Sequence, residues 1–133
     1  MKEIRPRPTS ALRSGESALL FVYGSLRRGG ENHRFLDGAR FLGEARTEPG
    51  HQLLDLGRYP GMVAAAEGRV LGELFEVDGE TLAALDRFEG HPTFYQRRPV
   101  RLDGDLIAWS YFLVEVDAEA KPVPGGCWPS GRS

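Results

Sequence analysis

The sequence has one cysteine, Cys127, so no disulfide can close within the chain and nothing in it calls for an oxidising compartment. It has no apolar run near the roughly 20 residues of a transmembrane helix. Its basic N-terminal residues are not followed by the apolar stretch of a secretory signal. It has no excess of positive charge. Its 17 Lys and Arg stand against 19 Asp and Glu, which is not the footprint of a nucleic-acid binder. Its three histidines, His33, His51 and His91, show no H-x-x-x-H or H-E-x-x-H spacing, and Cys127 has no C-x-x-C partner, so no metal site is expected. There is no Walker sequence and no G-x-G-x-x-G. The string "VYGSL" is not the G-x-S-x-G of a nucleophile elbow, which makes Ser25 a poor nucleophile candidate. The string "LRRGG" at 26–30 reads as a basic turn. These absences leave a soluble, cytoplasmic protein that uses neither nucleic acid nor membrane.

What is present fits one ordinary domain: 133 residues, 41% apolar and 27% charged. The 17 glycines and 9 prolines imply many turns, and so short strands rather than a few long helices. Residues 1–17 carry charge, Pro, Ser and Gly, and read as a flexible arm. Residues 18–133 read as a single domain, with a loop-like tail or strap at 121–133. The apolar run 19–23 suits a buried strand that stops at Gly24. "RRGGENHRFL" then reads as a turn into a short helical piece. "HQLLDLGRYPGMV" reads as strand, turn, strand, and "RVLGELFEVD" alternates as a strand should. A helix follows. Asp78 is its expected N-cap, Glu80 lies in its favourable first turn, and Leu82, Leu85 and Phe88 share one face. Gly90 ends it, and Pro92 opposes continuation. "YQRRPVRL", "DGD" and "LIAWSYFLVEV" make a hairpin. The sum is α+β: a small mixed β-barrel with one or two short helices and a pocket at the barrel mouth.

Two stretches carry chemistry. In "FVYGSL" a buried strand runs into a glycine turn, which is either a plain connection or a nest of N–H groups suited to an anion. In "LDRFEGHPTFYQRRPV" the carboxylate of Glu89 falls between Phe88 and Gly90, near Phe94 and Tyr95, at the C-terminal end of a helix. Both surroundings disfavour its charged form. It is either a solvated surface group or a general base tuned by desolvation. Arg97 or Arg98 is placed to restrain it by pairing; otherwise both are strand-surface charges.

Residues 22–36 and 85–100, in that order, resemble the two signature blocks of the gamma-glutamylcyclotransferase-like family, closest to its gamma-glutamylamine cyclotransferase branch and short bacterial relatives. Tyr59-Pro60 and "VLGELFEV" fall where that family carries similar segments, so the resemblance spans about residues 18–116. It implies cyclisation of a gamma-glutamyl group to pyroglutamate with release of the attached amine, and no cofactor. It implies Glu89 as the catalytic acid/base and Tyr23, Gly24, Ser25 and Leu26 as the substrate-binding loop. Tyr95 is expected to line the pocket, and Arg97 to steady the anionic end of the substrate. The N–H groups of residues 24–26 would hold either the developing oxyanion or the substrate α-carboxylate. The glutathione-degrading branch carries Asn after YGS where this chain has Leu26, which points away from glutathione. Two other readings differ in kind. One is a non-catalytic module that binds a glutamate-like ligand. The other is an interaction protein, for which Glu89 would be exposed and far from the YGSL loop.

Overall fold

The apolar stretch that ends at Tyr23 forms a strand in the middle of a mixed sheet. The structure, a computed structural model, describes residues 17–116 and 119–129. Strand β1 (Ser17–Val22) pairs antiparallel with β5 (Leu71–Asp78), from Ser17 opposite Asp78 to Val22 opposite Glu73. Ser17, read above as part of the arm, is thus the first residue of β1. The rest of that arm, and residues 130–133 of the tail, lie outside the described residues.

The central strand is β7 (Leu106–Leu113), which pairs along its whole length with β6 (Tyr95–Leu102) in the expected hairpin. Its other edge is shared. β1 runs parallel to it at Leu20 and Trp109, and β4 (Pro60–Ala64) runs parallel to it at Met62 and Phe112. One strand edge offers one row of N–H and C=O groups. Two strands using successive parts of that row must part from each other, and the cleft between them is where the site lies.

The remaining strands complete a curl. β3 (His51–Asp55) pairs antiparallel with β4, and β2 (Arg40–Arg46) with β5. Just beyond β2, Thr47 forms a bridge with Leu102 of β6. The Glu48 N–H donates to the Arg101 carbonyl at 3.0 Å, and the Asp103 N–H to that of Arg46 at 2.9 Å. The sheet therefore bends round until its far edges touch, giving the expected mixed barrel, open along part of its length as a half-barrel. β2 has no counterpart in the sequence reading. None of its residues is fully buried, its register against β5 shifts between Phe41 and Gly43, and the apolar Leu42 lies on its exposed side, which hides the strand in the sequence.

The helix α1 (Gly79–Glu89) forms as its sequence requires. The Asp78 carboxylate accepts from the Thr81 N–H at 2.8 Å, and Gly90, at φ 69°, takes the left-handed conformation that closes the last turn. Leu82 and Leu85 are fully buried under it. Phe88, on the same stripe, is 42% exposed and packs on Phe35 of the 3-10 helix His33–Leu36, with ring centroids 4.4 Å apart. The stripe runs off the core there because the helix end overhangs the cleft. The tail is more than a loop. β8 (Lys121–Pro122) adds to β3, and the indole of Trp128 is buried in the core.

Candidate active site

Tyr23 stands where β1 and β4 separate. Its hydroxyl donates to the Tyr111 carbonyl of β7 at 2.7 Å and accepts from the Met62 N–H of β4 at 3.1 Å. It thus satisfies the two backbone groups exposed by the fork. Burial, and after it the charges of Tyr95 and Glu89, push its phenol well above the ordinary tyrosine range, so it stays protonated. Above it lies a cavity of about 270 Å³, whose walls include Tyr23, Gly24, Ser25, Leu26, Asn32, Tyr59, Pro60, Phe88, Glu89, Phe94, Tyr95 and Tyr111.

After Tyr23 the chain makes a tight loop in which the carbonyls of Gly24, Ser25 and Leu26 are all engaged. The Arg27 N–H and its Nε both donate to the Gly24 carbonyl, at 3.1 and 3.0 Å. The Asn32 N–H donates to the Ser25 carbonyl, and Asn32 Nδ2 to Ser25 Oγ, each at 2.9 Å. His33 Nδ1 lies 2.9 Å from the Leu26 carbonyl; since a carbonyl only accepts, this nitrogen carries the proton. Gly30 allows the loop to close so tightly: a Cβ there would sit 2.2 Å from the Ser25 oxygen. The Arg27 guanidinium also donates to the Trp128 carbonyl, which ties the loop to the tail. The N–H groups of Ser25 and Leu26, by contrast, donate to no acceptor among the described residues.

Glu89 enters the cavity from the last residue of α1. It is partly buried, and its carboxylate has no hydrogen-bond or ion-pair partner among the described residues. Desolvation alone therefore governs it, and raises its pKa from 4.5 to about 7. Tyr95 forms the adjacent wall. Its hydroxyl donates to the Pro60 carbonyl at 2.7 Å, and its phenol is also raised, by burial first and then by the Glu89 charge. Phe94 packs edge-on against Tyr95 at 5.0 Å and Tyr59 against Phe94 at 6.3 Å, so the rim is aromatic.

The structure brings Tyr23, Gly24, Ser25, Leu26, Glu89 and Tyr95 around one cavity. Arg97 does not join them, which corrects both its reading as a substrate ligand and its pairing with Glu89. Its guanidinium is held by Asp86, with Nε 2.8 Å from Oδ1 and Nη2 3.1 Å from Oδ2, and it lies over the Trp109 ring at 4.3 Å. Its register opposite Tyr111 on the β6–β7 hairpin decides this. Tyr111 lines the cavity and donates to the same Asp86 at 2.7 Å, yet sequence reasoning passed over it. The available signal was a tyrosine in an otherwise apolar central strand, whose hydroxyl must find a partner when buried. Among the described residues no group of three His, Cys, Asp or Glu side chains is arranged to hold a metal, and no helix is long and apolar enough to cross a membrane.

A curled mixed sheet of this kind is a fold already known. The chain belongs to the family described as gamma-glutamyl cyclotransferase, AIG2-like, whose model matches residues 20–130. It is 34% identical to the gamma-glutamylcyclotransferase family protein YtfP of Escherichia coli, over 82% of this chain and 94% of that one. It is 42% identical to the bovine gamma-glutamylaminecyclotransferase over 63% of this chain and 55% of that one. Among solved structures, an AIG2-like protein from mouse superposes with a TM-score of 0.77 at 29% identity, covering 87% of this chain and 90% of that one.

Proposed function

We propose that this protein cyclises gamma-glutamyl compounds to pyroglutamate and releases the attached amine, with Glu89 as the general acid/base. One observation carries the reading. A carboxylate without a partner, desolvated until it titrates near neutral pH, shares a cavity with a loop whose Ser25 and Leu26 N–H groups are uncommitted. A carboxylate tuned to the working pH can both take and return a proton. The substrate reacts as its free α-amine, whose nitrogen attacks the γ-carbonyl carbon of the same molecule while Glu89 takes the proton that nitrogen sheds. The tetrahedral adduct collapses as the Glu89 proton passes to the departing nitrogen, which leaves as the free amine while the five-membered lactam remains. The attack is intramolecular, so the protein's task is to hold the folded-back rotamer, for which an aromatic cavity of this size is suited. The free N–H groups would receive the oxyanion or the α-carboxylate.

The test is pyroglutamate release from gamma-glutamyl-lysine, gamma-glutamyl alkylamines, gamma-glutamyl dipeptides and glutathione, with wild type and Glu89→Gln side by side. Wild type is expected to release pyroglutamate, and the variant to lose about 10²-fold or more of that rate. Unchanged release by Glu89→Gln would overturn the assignment of the base. Binding of a glutamate-like ligand without turnover of any substrate would replace the enzyme with a binding module.

A further inference from the structure

Asp86 lies three residues before Glu89 on α1, and residues so spaced are neighbours on one helix face, about 5–6 Å apart at Cβ. One of these two carboxylates is fully engaged and the other has no partner. Asp86 receives two bonds from Arg97 and one from Tyr111. Desolvation would raise the Asp86 carboxyl, but the Arg97 and Tyr111 hydrogen bonds and the charges of Arg97 and His91 outweigh it and hold it below the ordinary range. The Arg97 side chain is only 6% exposed, so it has no water to retreat to. We propose that Asp86 is a positioning residue for the reaction: by holding Arg97 against the Tyr111 side of α1, it keeps that guanidinium off Glu89 and leaves the base unpaired and facing the cavity. This rests on the reading of Glu89 as the base.

The other groups around Glu89 support the assignment. Tyr23 from the end of β1, Tyr95 from β6 and Tyr111 from β7 face it as neutral phenols, and Tyr59 stands at the rim. On its own helix Arg87 points to solvent. From the 3-10 helix, Arg34 lies over the Phe35 ring at 5.1 Å, and His33 is spent on the Leu26 carbonyl. In the turn that follows, His91 Nδ1 accepts the Arg97 N–H at 3.0 Å. Arg97 is thus a buried cation bonded to this helix, and Asp86 binds it through two hydrogen bonds. Tyr111 connects the pair to the site, since its hydroxyl is on Asp86, its ring on the cavity wall and its carbonyl under the Tyr23 hydroxyl.

The experiment reads Glu89 directly, by pH titration of its ¹³C-labelled carboxyl carbon, in wild type, Asp86→Asn and the doubly neutralised Asp86→Asn/Arg97→Met. Reading that carbon keeps the ionisation of His91 out of the result. With Asp86→Asn, the Glu89 midpoint is expected to fall by about one pH unit or more, the effect of an opposite charge released nearby. The double variant should return it to the wild-type value, and Asp86→Glu, which restores a carboxylate to Arg97, should do the same. The acid limb of pyroglutamate release should move with the midpoint. If Asp86→Asn does not fold, Asp86→Ser likewise takes the carboxylate away from Arg97 and is read in its place. An unmoved midpoint in the single variant, or one still displaced in the double, would overturn the proposal. Absence of pyroglutamate release by wild type would fail the functional reading instead, and leaves the carboxyl titration to decide this one.

Discussion

Glu89→Gln should make the protein more stable at alkaline pH while removing its activity. In the unfolded chain this carboxyl titrates near 4.5, and in the folded chain near 7. Below the lower value it is neutral in both states and costs nothing. Between the two, the folded chain binds the additional proton, so stability falls as pH rises, and the loss is complete above about pH 7. That interval, at about 1.36 kcal/mol per pH unit, amounts to about 3 kcal/mol. Gln is neutral throughout and escapes it. Urea unfolding at a series of pH values between 4.5 and 8.5 measures the difference, with the buried Trp109 and Trp128 as fluorescent reporters. Asp86 has the opposite dependence, since its lowered pKa contributes stability that is lost on acidification. It is present in both proteins, however, and cancels. Any constant offset from packing Gln into the wall is independent of pH. The gap between variant and wild type should therefore widen in favour of the variant by about 3 kcal/mol across this range. A gap that stays flat would refute the reasoning, because it would mean that Glu89 ionises in the folded chain as it does in water.

Three further outcomes follow from the same geometry. The role proposed for Glu89 requires it ionised, so kcat/KM should rise with pH through about 7, with the limb absent from Glu89→Gln; a profile flat from pH 5 to 9 would contradict the proposal. Tyr23→Phe leaves the Tyr111 carbonyl and the Met62 N–H without their partner in a buried place, and should cost about 2 kcal/mol in urea unfolding. Gly30→Ala puts a methyl 2.2 Å from the Ser25 oxygen, so the loop must shift; KM should rise several-fold, and an unaltered KM would show that the loop does not hold substrate.

How far the sequence speaks for this molecule depends on how local each feature is. The hairpin β6–β7 and the helix α1 were legible because their signals lie within themselves: alternation around Asp-Gly, and a capped apolar stripe closed by Gly90. β2 was not, because on this edge strand the inward side is only half-buried and the outward side carries the apolar Leu42, so the sequence shows no apolar period. The tail was illegible for a related reason. Trp128 is buried in a core cluster with residues of distant strands, and the tail's short strand pairs with two residues of β3. At the site, Glu89 could be found because Phe88, Phe94 and Tyr95, which desolvate it, are also its neighbours in sequence. The partner of Arg97 could not. It is set by the register that puts Arg97 opposite Tyr111, and by the helix crossing that lowers Asp86 onto both. A guanidinium eight residues from one carboxylate and eleven from another carries no label in the sequence for which it will choose. The fork has the same character. β1, β4 and β7 are separated by long stretches of chain, and only their shared use of one strand edge opens the cleft and obliges a tyrosine hydroxyl to close it. The carboxylate proposed to do the chemistry is thus local and readable, whereas the arrangement that keeps Glu89 without a counter-ion arises only from tertiary register.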